Sequence, residues 1–112
     1  MAQYAIAFDM DTTRMKADGM TRVDITNLYQ KEIRAALESC GFPVHIQGSV
    51  YRTNTESNQL SILIALQSGL RTKAPTFCKY VKVAHIFRIE EQSEITGLIS
   101  TAPQSDTTDL AQ

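Results

Sequence analysis

The side chains of this sequence that can do chemistry are two early carboxylates, two histidines and a run of cations. Asp9 and Asp11 follow directly on Gln3–Phe8, in which Tyr4, Ile6 and Phe8 alternate with Ala5 and Ala7. Both alternating sets are apolar, which predicts a short strand buried on both faces. A carboxylate at the end of such a strand lies at the rim of a sheet, within reach of a ligand. A strand followed by Asp recurs in nucleases and phosphotransferases. Asp is also a good turn residue, so the same pair equally ends a strand and begins a turn. His45 and His85 are the histidines of the chain; each can change charge near neutral pH. From Arg71 to Arg88 the charges are Arg71, Lys73, Lys79, Lys82 and Arg88, with no acid among them. From Ile89 onward come Glu90, Glu91, Glu94, Asp106 and Asp109, with no base. A local run of cations is either a solvated face or a phosphate-binding one.

Length and composition limit what can carry these residues. The 112 residues suffice for one domain with a single core. A formal net charge of -1 argues against bulk, non-specific nucleic-acid binding. No apolar run approaches the roughly 20 residues of a membrane span. No basic segment followed by an apolar one suggests a secretory signal, so the expected location is cytoplasmic. Cys40 and Cys78 lack the spacing of a metal or redox motif; both read as small buried or half-buried side chains in a reducing compartment. A disulfide between them is left open.

The positioning elements follow from periodicity. Thr12 to Met20 has no clean period and contains Asp18-Gly19, which predicts a loop. Thr21 and Asp24 have the spacing of a capping box. Ile25, Leu28, Tyr29, Ile33, Ala36, Leu37 and Cys40 then recur at helical intervals, so one amphipathic helix is expected, stopped by Gly41 and Pro43. Val44–Gln47 and Ser49–Thr53 read as two short strands about Gly48, or as one bent strand. Thr53 to Glu56 is a second capping-box candidate, before a helix with an apolar stripe of Leu60, Leu63, Leu66 and Leu70, widened by Ile62 and Ile64. Thr76 to Tyr80 is at most one helical turn. Val81 to Ile89 is a strand with Val83, His85, Phe87 and Ile89 on one face. Ser93 to Ser100 carries Ile95, Leu98 and Ile99 as a last short strand or helical turn. Ala102 to Gln112 is polar and aperiodic and is expected to be a disordered tail after a domain over 1–101.

The order β-α-β-β-α-β predicts a ferredoxin-like α+β sandwich, with a four-stranded antiparallel sheet, both helices on one face, and the first and last main strands as central neighbours. One sheet face then lacks a helix, so a homodimer is expected to close it.

Three stretches carry a family resemblance: Tyr4-Ala5-Ile6-Ala7-Phe8-Asp9-Met10-Asp11, the central Gln47-Gly48-Ser49-Val50-Tyr51 after Gly41-Phe42, and Lys82 to Glu90. Together, over about residues 3 to 95, they resemble the virulence-associated protein D (VapD) family. That family is similar in fold to the small subunit of CRISPR adaptation complexes, also a ferredoxin-like homodimer. The resemblance implies an endoribonuclease acting on single-stranded RNA, often the toxin of a toxin–antitoxin pair with a small antitoxin protein as partner. It places the strand-end acid at Asp9 and the matching serine at Ser49. Some members carry an acid early in the last main strand, whereas Lys82 to His85 here has none. That departure favours an alternative: a non-catalytic dimeric RNA- or protein-binding module of the same fold.

RNA cleavage needs a proton acceptor for the attacking hydroxyl, stabilisation of charge on the phosphoryl oxygens, and a donor to the leaving oxygen. Asp9 suits the first role, or would hold a divalent cation such as Mg²⁺ together with its dimer mate. Ser49 suits a phosphate-positioning donor. Tyr51 would stack on a base or pack within the sheet. Arg52, Lys82 and His85 complete the expected RNA-binding set. Phe8-Asp9-Met10-Asp11-Thr12-Thr13 also looks like the nucleophile motif of haloacid-dehalogenase-type phosphatases. Those enzymes need a doubly wound α/β domain and further downstream motifs, for which this chain is too short.

Overall fold

The computed structural model describes residues 2–101; the tail expected over 102–112 lies outside them. The architecture is α+β, with one four-stranded antiparallel sheet and helices. Strand β1 (Gln3–Met10) lies between β3 (Val50–Arg52) and β4 (Val81–Ile89), and β2 (Val44–Gln47) flanks β3. β1 and β4 are neighbours as expected, but β4 is an edge strand. The β2–β3 hairpin takes the other side of β1, and no strand lies beyond β4 among the described residues.

Register assigns the two sheet faces. Tyr4, Ile6, Phe8 and Met10 of β1 are buried beneath the helices, together with Tyr51 of β3. Ala5, Ala7 and Asp9 point the other way, opposite Phe87, His85 and Val83 of β4. That second face is open. A bulge between Asp9 and Met10 ends the regular pairing. Beyond β3, the ladder is continued by Thr53, whose hydroxyl accepts from the Tyr4 amide at 3.1 Å while its own amide donates to the Tyr4 carbonyl at 2.9 Å.

The stretch after β1 is a helix, not a loop: α1 spans Thr12–Ala17. Asp11 caps it, its Oδ1 accepting from the Arg14 amide at 3.0 Å, and Met15 anchors it in the core. Six residues are too few to show a period, so this helix is defined by its cap and one anchor. The next helical run begins at α2 (Arg22–Asn27) with the expected capping box between Thr21 and Asp24. It passes through a π-helical turn at Leu28–Ile33 and ends in α3 (Arg34–Ser39). The wider turn brings Leu28 and Ile33, five residues apart, onto one buried face. Gly41, at φ 101°, closes the run: Phe42 N–H donates to the Leu37 carbonyl at 2.8 Å and Gly41 N–H to that of Glu38 at 3.2 Å.

The capping bonds to Thr21 hold the Asp24 carboxyl below its usual value of 3.8. A depressed folded-state pKa contributes stability above the unfolded value and loses it as pH falls through the folded one. Below pH 3.8 the Asp24→Asn variant should therefore show a flatter acid-unfolding limb than the parent. Parallel limbs would remove this role.

Helix α4 (Gln59–Lys73) starts later than its expected capping box. Asn58 is the cap, accepting from the Ser61 amide at 2.9 Å. The buried stripe is Ile62, Leu66 and Leu70, while Leu60, Leu63 and Ile64 are exposed. The stripe is thus offset from the leucine series: it keeps Leu66 and Leu70 and takes Ile62 in place of Leu63. Gly69 faces Cys40, and a Cβ there would overlap Cys40 Sγ. Gly69→Ala should lower stability by about 1 kcal/mol, overpacking outweighing the helix propensity gained. In a Cys40→Ala background the same change should stabilise by roughly 0.5–1 kcal/mol. Denaturant midpoints of the four proteins test the reversal, and equal signs in both backgrounds would refute the contact.

Pro75 opens α5 (Pro75–Tyr80), which leads directly into β4. The last element is a helical turn, α6 (Thr96–Ile99). Cys40 and Cys78 are both free, and Cys78 is exposed rather than buried.

Candidate active site at the end of the first strand

Four expected site residues gather at one end of the sheet. Asp9 is exposed on the open face, opposite Val83. Lys82 precedes Val83 in the bulged part of β4 and is exposed. His85, two residues further on, shares the open face with Asp9 and is exposed. Ser49 reaches the same end from the hairpin. Gly48 and Ser49 alone connect β2 to β3, with Gly48 at φ 45° in the position that a tight hairpin turn reserves for glycine. The turn is fastened to β1 by the Phe8 amide, which donates to the Ser49 carbonyl at 3.1 Å.

Tyr29 joins this end and was not among the residues singled out from the sequence. Its ring packs against Phe8, with centroids 6.4 Å apart. Burial raises its phenol above the ordinary value, a hydrogen bond with the Ser49 side chain opposes the rise, and the nearby Asp9 carboxylate adds to it. Tyr29 of the π-helical turn thus lies near Ser49 of the hairpin turn and Asp9 of β1. Tyr29 reads in the sequence as one more apolar position of a helix. Its placement depends on the π-helical turn.

The remaining expected residues are elsewhere. Tyr51 is 3% exposed on the helix side of the sheet. His45 stacks on its ring at 4.4 Å and Phe8 lies at 6.4 Å, so the ring serves packing and presents no free face to a base. Burial raises its phenol pKa, with Arg34 opposing. Arg52 pairs with Ala5, four residues along β1 from Asp9. Its guanidinium donates to Gln3 Oε1 at 3.3 Å and to the Thr53 carbonyl at 2.9 Å. At roughly 3.3 Å per strand residue, Arg52 is about 13 Å from the Asp9 end. His45 has Nε2 2.9 Å from the Gly48 carbonyl oxygen and braces the hairpin. Asp11 is occupied as the α1 cap.

Cations surround the Asp9 end. The Asp11 amide donates to the Tyr80 carbonyl at 2.8 Å, which brings α1 and α5 beside it. Arg14 and Lys79 each hold their charge 5.3 Å from the centre of the Tyr80 ring. Arg14 also donates to the Lys79 carbonyl at 3.2 Å, and the Tyr80 hydroxyl donates to Asp18 at 2.7 Å.

Among the described residues no group of three or more His, Cys, Asp or Glu side chains could hold a metal ion. Asp9 is the carboxylate at this end that could hold a Mg²⁺ together with a substrate phosphate, and it would then supply one ligand. Also among the described residues, no helix is long and apolar enough to cross a membrane. A scan against protein-family models finds no match, and neither does a search of curated proteins.

Proposed function

We propose that this chain is an endoribonuclease of the VapD kind, acting on single-stranded RNA as a ferredoxin-like homodimer and serving as the toxin of a toxin–antitoxin pair. One observation carries the reading: Asp9 stands exposed at the end of a central strand, with Ser49 on the adjoining turn and Lys82 and His85 on the neighbouring strand. Asp9 takes the proton of the attacking hydroxyl. Ser49, backed by Tyr29, donates to a phosphoryl oxygen, and Lys82 offsets charge building on the phosphate. His85 shares the open face with Asp9 and is the member of the group placed to donate a proton to the leaving oxygen. The strand order β2-β3-β1-β4 and the helices packed on one face support the ferredoxin-like assignment. The antiparallel sheet argues against the phosphatase alternative, which needs a doubly wound parallel one.

The dimer is proposed to close the open face, where Val83 and Phe87 of β4 stand exposed beside Ala5, Ala7 and Val50. The buried ring of Tyr51 and the acid-free β4 favour the second reading, a binding module without catalysis. Incubation of the purified protein with labelled single-stranded RNA, beside Asp9→Asn, separates the two. Cleavage lost in the variant supports the enzyme. Retention of RNA by both proteins without cleavage supports the module.

A further inference from the structure

An apolar groove of about 330 Å³ lies on the helix side of the sheet, between α4, α5 and the edge strand β4. Leu63, Leu66, Phe77 and Ile86 line it, with Arg71 and Cys78. Leu63 is exposed although it faces this groove. Among the described residues the same chain carries an exposed apolar turn: Ile95, Leu98 and Ile99 about α6 are exposed, Leu98 to 85%. Charge distinguishes the two surfaces. From Ser57 to Ile89, which includes all three elements of the groove, there is no acid, and Arg71 lines the groove, while Arg88 pairs with Glu90 of its own chain at 3.1 Å. Glu32, from the helical run packed on α5, accepts from the Thr76 amide at 3.2 Å. The segment from Glu90 to Ser100 holds Glu90, Glu91 and Glu94 and no base. Glu94 already caps the turn through the amide and hydroxyl of Thr96.

We propose that the α6 segment of a second copy docks in this groove, with Leu98 and Ile99 entering between α4 and β4 and Glu91 and Glu94 turned toward Arg71. The contact is reciprocal, so each protomer gives one segment and receives one. It is distinct from the open sheet face and rests on the dimer proposed above. Burying the three side chains removes apolar surface from water on both partners, and the opposed charges fix which segment enters.

Cys78 in the groove provides the test. The full chain carrying Leu98→Cys is oxidised at micromolar concentration and analysed by intact mass and non-reducing electrophoresis, beside the parent and the double variant with Cys78→Ser. The expected result is a covalent dimer that forms only with Leu98→Cys and disappears with Cys78→Ser. Independently, Leu98→Asp should weaken self-association roughly tenfold or more, the scale of losing a buried leucine. A disulfide within one chain would show that the segment folds back on its own groove, and overturns the proposal. Absence of the bond in a protein that still sediments as a dimer also overturns it, while leaving the sheet-face dimer standing. A monomer at this concentration overturns both.

Discussion

Replacing Asp9 by asparagine is expected to reduce RNA cleavage by roughly 10²-fold or more, the scale of a lost general base. The substitution removes a charge and keeps the shape. Asp9 is exposed, so the variant should lose less than ~1 kcal/mol of stability. Ser49→Ala should give a smaller loss, because a positioning hydrogen bond is worth less than the proton acceptor. Tyr29→Phe should resemble Ser49→Ala, since it removes the hydroxyl that Ser49 engages and leaves the ring on Phe8. Asp11→Asn is the internal control. Asparagine caps a helix as well as aspartate does, so both α1 and activity should survive. Time-resolved cleavage of a short single-stranded RNA, with melting curves for each protein, checks the series. Equal rates for the parent and Asp9→Asn would mean that the cleavage has another source. A melting temperature that collapses in Asp9→Asn would instead mark Asp9 as a structural residue.

Phe87→Lys should convert the protein from dimer to monomer at micromolar concentration. Phe87 is 53% exposed on the open face, directly opposite Ala5, so about half of its surface is left for a partner. Across a two-fold axis the same position occurs twice, and the substitution replaces two apolar contacts by two like charges. The variant should melt within about 1 kcal/mol of the parent as a monomer, as an exposed substitution does. Sedimentation equilibrium gives the mass directly. A dimer that persists unchanged would move the interface away from this face and leave the exposed Val83 and Phe87 unexplained.

Much of the fold was legible because strong local patterns agreed with their tertiary setting. The apolar alternation of Gln3–Phe8 marked the central strand, and Val81–Ile89 was recognisable to the residue. The Thr21–Asp24 capping box and the Gly41 stop were readable because each is made of residues adjacent in the chain. Helix α1 was not readable: with six residues, its stability comes from Met15 in the core and from the Tyr80 and Lys79 carbonyls beside it. Nor was the start of α4, where Asn58 prevailed over Thr53 because Thr53 was taken by the sheet. At the candidate site, Asp9 was singled out from its place at the strand end and Ser49 from the family resemblance, and Tyr29 was not singled out.

The amino-acid sequence by itself determined which side chains of a strand or helix share a face, because strand alternation and helical spacing are properties of neighbours along the chain. It also determined where the chain must turn, at Gly41 and Gly48, since both take backbone angles that other residues resist. Tertiary structure alone decided which residues meet. Pairing β1 with β4 brought Lys82 and His85 to the Asp9 end, and pairing with β3 carried Arg52 away from it and turned Tyr51 inward. The packing of the π-helical turn on the sheet set Tyr29 beside Phe8, near Ser49. These are consequences of register between distant segments, and register is set by how whole faces pack.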